Sequence, residues 1–212
     1  PRDKNGLLYI PHNTWFGEAQ WKKYTLNELG YDVVNTFSMK RISYSKTGSW
    51  GCDEFLPMGC YYNTETDTSM TWEIETSGSW HWEISDIREQ LYLQISGPTF
   101  QENGWMINLR PGESFTSVPC AVAVTGGEFQ ESIGAMTQYR RRIRRQNKDN
   151  ETLPVIFNDY MNCLMGDPTT EVLKPLIDAA KEAGCEYFCV DCGWYSDGHW
   201  WDGVGEWLPS QK

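Results

Sequence analysis

Leu153-Pro-Val-Ile-Phe157 and Glu186-Tyr-Phe-Cys-Val190 are two short apolar runs that bracket Gly166-Asp-Pro-Thr-Thr-Glu171 and the residues after it. Each run has the length and composition of a buried strand. Between them, Asp167 or Thr169 suits a helix N-cap, Glu171 suits the positive end of the helix, and Val172, Leu176, Ala180 and Ala183 form one apolar face ending at Gly184. Pro175 lacks the N–H that a helix interior needs, which moves the expected start toward Lys174. Strand, helix and strand in this order make a βαβ unit, with a parallel pair and a right-handed crossover. One such unit cannot cover both faces of a parallel sheet, so the expectation is an N-terminal or internal portion of a longer α/β protein.

The second run leads into Asp191-Cys-Gly-Trp-Tyr-Ser-Asp-Gly-His-Trp-Trp-Asp202, followed by Gly205-Glu206-Trp207. Ligands of α/β proteins bind at the carboxyl ends of the strands, where Asp191 stands, with Asn158, Asp159 and Tyr160 in the matching place after the first strand. Trp194, Trp200, Trp201 and Trp207 beside Asp191, Asp197, Asp202 and Glu206 suit a carbohydrate. Flat rings cover the C–H faces of a sugar, and carboxylates accept its hydroxyl hydrogens. The competing reading is that these tryptophans fill a domain interface. Cys189-Val-Asp-Cys192, near Cys185 and His199, imitates a zinc or redox motif. If residues 187–192 continue as a strand, Cys189 and Cys192 point to opposite faces, which favours buried thiols and no metal. His12 and His81 have no Ser or Cys elbow around them, and Gly126-Gly127 lacks the spacing of a nucleotide loop.

Upstream the character changes. Residues 1–150 carry 18 acidic and 15 basic side chains and the remainder 11 and 3, which divides the net charge of -11 into -3 and -8. A domain boundary is expected near 145–152, with residues 1–148 as one domain and 149–212 as the next. Met70–Thr76 and Trp80–Ser85 alternate around Ser77-Gly78-Ser79 as an antiparallel hairpin with one wet face would. Leu91–Ile95, Trp105–Leu109 and Cys120–Val124 continue the pattern, and strands at this spacing suggest a β-sandwich. Residues 132–148 read as a helix carrying Arg140, Arg141, Arg142, Arg144 and Arg145, with Ile133, Met136, Tyr139 and Ile143 as its apolar stripe. A solvated linker helix is preferred to a phosphate-binding one, because the rest of the chain is acidic. No stretch approaches the roughly 20 apolar residues that span a bilayer, so no membrane or nucleic-acid partner is expected. Seven cysteines in an irregular set read as free thiols, which points to a reducing, cytoplasmic location.

Pro154-Val-Ile-Phe-Asn-Asp-Tyr160, the 169–184 helix, Tyr187-Phe-Cys-Val-Asp-Cys-Gly-Trp-Tyr195 and Gly205-Glu-Trp207 together resemble the opening of the catalytic barrel in glycoside hydrolase family 36, the α-galactosidases and their relatives. Thr76-Ser-Gly-Ser-Trp-His-Trp82, Leu109-Arg-Pro-Gly-Glu-Ser-Phe115 and the arginine-rich helix are similar to the second half of that family's N-terminal β-supersandwich. The resemblance covers most of residues 50–212 and the first fifty only loosely. It implies a β-supersandwich followed by the first βαβ unit of a (β/α)8 TIM-type barrel. It also implies a retaining glycosidase acting on terminal α-linked galactose-type sugars of oligosaccharides or glycoconjugates, without a cofactor, and a homo-oligomer in which His12–Trp21, with Trp15 and Trp21, could reach a neighbouring active site. Family members carry Asp-Asp-Gly-Trp after the second barrel strand. Here Asp191 matches the first aspartate, Cys192 replaces the second, and Tyr160 stands nearest a tryptophan that the family places after its first strand. The resemblance makes Asp191, Trp194, Tyr160 and Cys192 substrate-binding residues. It places the nucleophile and the acid/base beyond Lys212, so that the 212 residues alone are expected to be inactive. The lost carboxylate removes one charged acceptor, so strict preference for galactose is not implied, and an N-acetylgalactosamine-type or otherwise altered substrate is open as well. A non-catalytic carbohydrate-binding β-sandwich protein and a barrel that has lost its activity are the alternatives.

Overall fold

A computed structural model describes residues 6–31, 37, 39–87, 90–205 and 207–212. The chain divides into two compact units, Pro1–Arg144 and Arg145–Lys212.

The first unit is built from β1 (Gly6–His12), β2 (Gln20–Thr25), β3 (Arg41–Lys46), β4 (Met58–Asn63), β5 (Thr68–Ile74), β6 (Trp80–Ile87) and β7 (Gln90–Ser96), then the short α1 (Phe100–Asn103), β8 (Cys120–Gly126) and α2 (Phe129–Ile143). Five strands make one sheet in the order β2-β1-β4-β5-β8, and three make another in the order β3-β6-β7. The core lies between them. Trp72 of β5 meets Trp82 of β6 edge-on with ring centroids 5.2 Å apart, and Tyr44 of β3 stacks on Trp82 at 4.7 Å. Leu8, Ile10, Ile74, Trp80 and Ile84 complete the same buried cluster. Gly59 serves this packing, because a Cβ there would stand 2.4 Å from Cζ2 of Trp72.

The expected hairpin of residues 70–85 does not form. β5 pairs with β4 and β8, and β6 pairs with β3 and β7, so the Ser77-Gly78-Ser79 link carries the chain from one sheet to the other. Neither strand has a wet face. The outward residues of β5 lie under α2, where Thr71 Oγ1 and Ser132 Oγ are 2.7 Å apart, and His81, Glu83 and Ser85 of β6 are also buried. The second departure is Trp105–Leu109, which belongs to no strand. It has no ladder neighbour, and Met106 is 71% exposed. Leu91–Ile95 and Cys120–Val124 are strands, as their alternation predicts.

The arginines of the arginine-rich helix are exposed, as expected, and the helix also packs one face on the sandwich. α2 begins three residues earlier than expected and lies against the five-stranded sheet, burying Ser132 and Met136 while Ile143 stays outside. Arg140 Nε donates to Glu73 Oε2 at 2.6 Å, pairing a carboxylate that β5 carries almost fully buried.

On the outer face of the small sheet, Glu83 accepts from Arg41 Nε at 2.5 Å, Tyr92 Oη at 2.9 Å and His81 Nε2 at 3.0 Å. Burial alone would raise its carboxyl pKa. The bonds from Arg41, Tyr92 and His81 and the charge of Arg41 outweigh that and hold it below the ordinary carboxylate range. A group depressed in the fold and ordinary in the unfolded chain stabilises above the unfolded pKa, and the contribution disappears as pH falls through the folded value. The urea midpoint of the chain is therefore expected to drop on acidification below about pH 4. Glu83→Gln should flatten that dependence, whatever it does to the midpoint at neutral pH, as equilibrium unfolding at several pH values would register.

The second unit contains α3 (Asp149–Thr152), β9 (Ile156–Asn158), α4 (Thr170–Glu182) and β10 (Tyr187–Cys189). β9 and β10 pair in parallel, Ile156 with Tyr187 and Asn158 with Cys189, as a βαβ unit requires. α4 starts at Thr170 and not near Lys174, so Pro175 sits inside the helix at the loss of one backbone bond. Its inward line is Leu173, Leu176 and Ala180, while Val172 and Ala183 of the expected face are exposed. The helix closes at Gly184, whose φ is +85°. The strands are not the buried ones predicted: Ile156 is 59% and Tyr187 58% exposed, since a two-stranded sheet cannot bury both its faces.

Candidate functional site

The carboxyl ends of β9 and β10 bring Asn158, Asp159 and Asp191 together. Asn158 Nδ2 donates to Asp191 Oδ2 at 2.7 Å, and the Asp191 N–H donates to Asp159 Oδ1 at 2.9 Å. Asp159 is almost fully buried, and its own N–H donates to the Cys189 carbonyl at 3.2 Å, which locks the end of one strand to the other. Its Oδ2 has no partner among the described residues. Asp191 itself is exposed, so its carboxylate is oriented by Asn158 while facing solvent. A carboxylate fixed in this way accepts hydroxyl hydrogens without first losing its own side-chain entropy.

Tyr160 begins a single wide turn, Tyr160–Leu164, and its N–H donates to Asn158 Oδ1 at 2.9 Å. Its ring stands edge-on to Trp200 at 6.0 Å, and Trp200 meets Trp201 perpendicularly at 5.0 Å. Trp194 belongs to another aromatic group, with Tyr195 at 5.2 Å and Trp207 at 6.4 Å. Tyr160 and Trp194, expected in one pocket, thus fall in two separate aromatic groups. Trp201 and Trp207 present large exposed ring faces, whereas Tyr195 is buried. Asp197 is engaged, since its Oδ1 accepts from the Gln211 N–H at 2.9 Å, and Glu206 lies outside the described residues.

Cys192 is half-buried. Burial first, then the charges of Asp191 and Asp159, push its thiol above the ordinary value. It is therefore neutral at neutral pH and cannot replace a carboxylate as a charged acceptor. β10 ends at Cys189, so Cys192 belongs to the loop beyond it and not to a continuing strand. All seven cysteines are free.

Two glycines fix the loops. Gly193 has φ +90°, and a Cβ on it would stand 2.0 Å from the Gly166 carbonyl oxygen. Gly166 has φ +92°, and its Cβ would stand 2.6 Å from Cδ1 of Trp200. The turn after β9 and the loop after β10 meet at backbone contact, and the Trp200 ring packs on the first of them. The sequence reading assigned no role to Gly166 or Gly193, nor to Asn158 as the residue that orients Asp191. The Asn-Asp pair directly after a strand was the available signal.

No family model matches the chain. Alpha-galactosidase 1 of Pediococcus pentosaceus is 27% identical over 176 residues, which is 78% of this chain and 23% of that protein. The crystal structure of the GH36 α-galactosidase AgaB from Geobacillus stearothermophilus matches 92% of this chain and 26% of its own, with a TM-score of 0.67 at 17% identity. The chain is related to glycoside hydrolases. It spans about a quarter of the length of the two α-galactosidases it matches, and the structural match shows a shared fold.

Proposed function

We propose that the protein carrying these residues is a retaining glycosidase that removes terminal α-linked galactose-type sugars, and that residues 149–212 are the first βαβ unit of its (β/α)8 barrel. The observation that carries this reading is the Asn158–Asp191–Asp159 arrangement at the ends of parallel strands, with the Tyr160 N–H bonded to Asn158. In the proposal, Asp191 accepts hydroxyl hydrogens of the non-reducing sugar, and Tyr160 and Trp194 cover its C–H faces. A retaining mechanism needs two further carboxyl groups about 5–5.5 Å apart, one attacking the anomeric carbon and one protonating the leaving oxygen, then activating water. We assign both to parts of the barrel outside these 212 residues. Cys192, neutral and smaller than aspartate, removes one charged acceptor from the sugar's edge and leaves room for a substituent such as an acetamido group. The free thiols support a reducing, cytoplasmic location. The exposed Trp15, at the tip of the β1–β2 hairpin, suits contact with a second subunit of an oligomer, while Trp21 packs edge-on against Phe129 at 4.8 Å.

The test is hydrolysis by the full-length protein of an aryl α-galactoside and the matching α-N-acetylgalactosaminide. Cleavage of at least one is expected, with the ratio reporting on Cys192; silence on both would overturn the reading. Asp191→Asn should lower kcat/KM on the cleaved substrate by about 10- to 100-fold, the loss of a charge-assisted hydrogen bond, with circular dichroism unchanged.

A further inference from the structure

The outer face of the small sheet is an unusual surface. Arg41, His81, Glu83, Ser85, Tyr92 and Gln94 alternate with the core residues of β3, β6 and β7. Together with Met39, Thr99, Phe100 and Gln101 they line a cavity of about 530 Å³. An outward sheet face normally keeps its charges in water, yet His81 and Glu83 are more than nine-tenths buried. The arrangement is held rigidly. Glu83 is saturated by three donors, and Arg41 Nη2 donates to Glu102 Oε1 at 2.5 Å, which ties the sheet to α1. His81 Nε2 donates to Glu83, which leaves Nδ1 as the free ring nitrogen, shielded from solvent and without a partner among the described residues.

We infer that this cavity is a second carbohydrate-binding site, on the sandwich and independent of the loops after β9 and β10, and that it takes one sugar unit of a neutral oligosaccharide. The charge balance selects the ligand. Arg41 is already neutralised by Glu83 and Glu102, so the site offers no net positive charge to a phosphate or a carboxylate. It offers instead neutral groups of both kinds: the Gln94 amide, the Thr99 hydroxyl as a donor, and the Ser85 and Tyr92 oxygens as acceptors, their own protons going to the Lys40 carbonyl and to Glu83, which suits sugar hydroxyls. Phe100, 64% exposed at the rim, supplies an apolar ring for the C–H face of the sugar. The volume lies within the range of small-ligand sites and accommodates one or two pyranose rings.

The experiment uses the full-length protein with Asp191→Ala, which removes the pocket proposed in the second unit. It is screened against an array of neutral oligosaccharides, and the best binder is titrated by calorimetry. Saturable one-to-one binding is expected, weakened about tenfold or more by Phe100→Ala and by Gln94→Ala with the urea midpoint of unfolding unchanged. Absence of binding to every neutral oligosaccharide, binding equal in both variants, or binding restricted to sulfated or phosphorylated glycans would each overturn the inference. Binding on the sandwich by a full-length protein that, with Asp191 intact, cleaves neither aryl glycoside would count against the proposed glycosidase and leave this site standing.

Discussion

Trp82→Ala is expected to lower the unfolding free energy of the chain by about 3–5 kcal/mol, the largest effect of any single substitution considered. The indole is fully buried between the sheets, with Trp72 edge-on and Tyr44 stacked on it. Truncation removes the contact that joins β6 to β5 across the core, and the rigid neighbours Trp72 and Trp80 cannot collapse into the space. Trp82→Phe should cost much less. It keeps a ring against Tyr44 and deletes an indole N–H that is buried without a partner among the described residues. Urea unfolding followed by circular dichroism compares the two. Equal losses would show that the polar handle of the tryptophan, not its ring, is what the core depends on.

Gly193→Ala is the second. The added Cβ would stand 2.0 Å from the Gly166 carbonyl oxygen, and the residue would have to keep φ +90°. Strain in the left-handed region and a backbone clash together cost about 3 kcal/mol or more. No flexible side chain can give way, because the obstructing atom is itself backbone. The loop after β10 must move, and Asp191 and Trp194 move with it. The expected result is loss of saccharide binding and of hydrolysis in the full-length protein, with faster proteolysis between residues 190 and 205, while the sandwich unfolds at an unchanged urea concentration. Normal hydrolysis by this variant would mean that the loop does not hold the substrate.

What the sequence disclosed and what it withheld follow from the range of the forces involved. The βαβ order of residues 153–190 was legible because strand and helix periods, a cap and Gly184 all agree locally, and the parallel register follows from them. Alternation in residues 70–85 correctly separated Trp72, Trp82 and Ile84 from their neighbours. It could not say which strand lies beside which, so a crossing between sheets looked like a hairpin. Trp105–Leu109 alternates equally well and is not a strand, because a ladder needs a partner that no local pattern supplies. Asp191 and Tyr160 were placed at strand ends by topology alone. The bonds from Asn158 and Asp159, like the contact between Gly193 and Gly166, join residues about thirty positions apart and leave no periodic trace.

The crossing at Ser77-Gly78-Ser79 also bears on time. β1 with β2, β4 with β5 and β6 with β7 are neighbours in sequence and can zip from their turns, whereas Thr68 must find Gly126 and Arg41 must find Ser85 before either sheet is complete. Loops of that length are closed before their contacts give anything back, so folding of this unit is expected on the slow, millisecond-to-second side for its size. During that interval the inner faces of β5 and β6, with Trp72 and Trp82 still uncovered, are the surfaces a chaperone would meet.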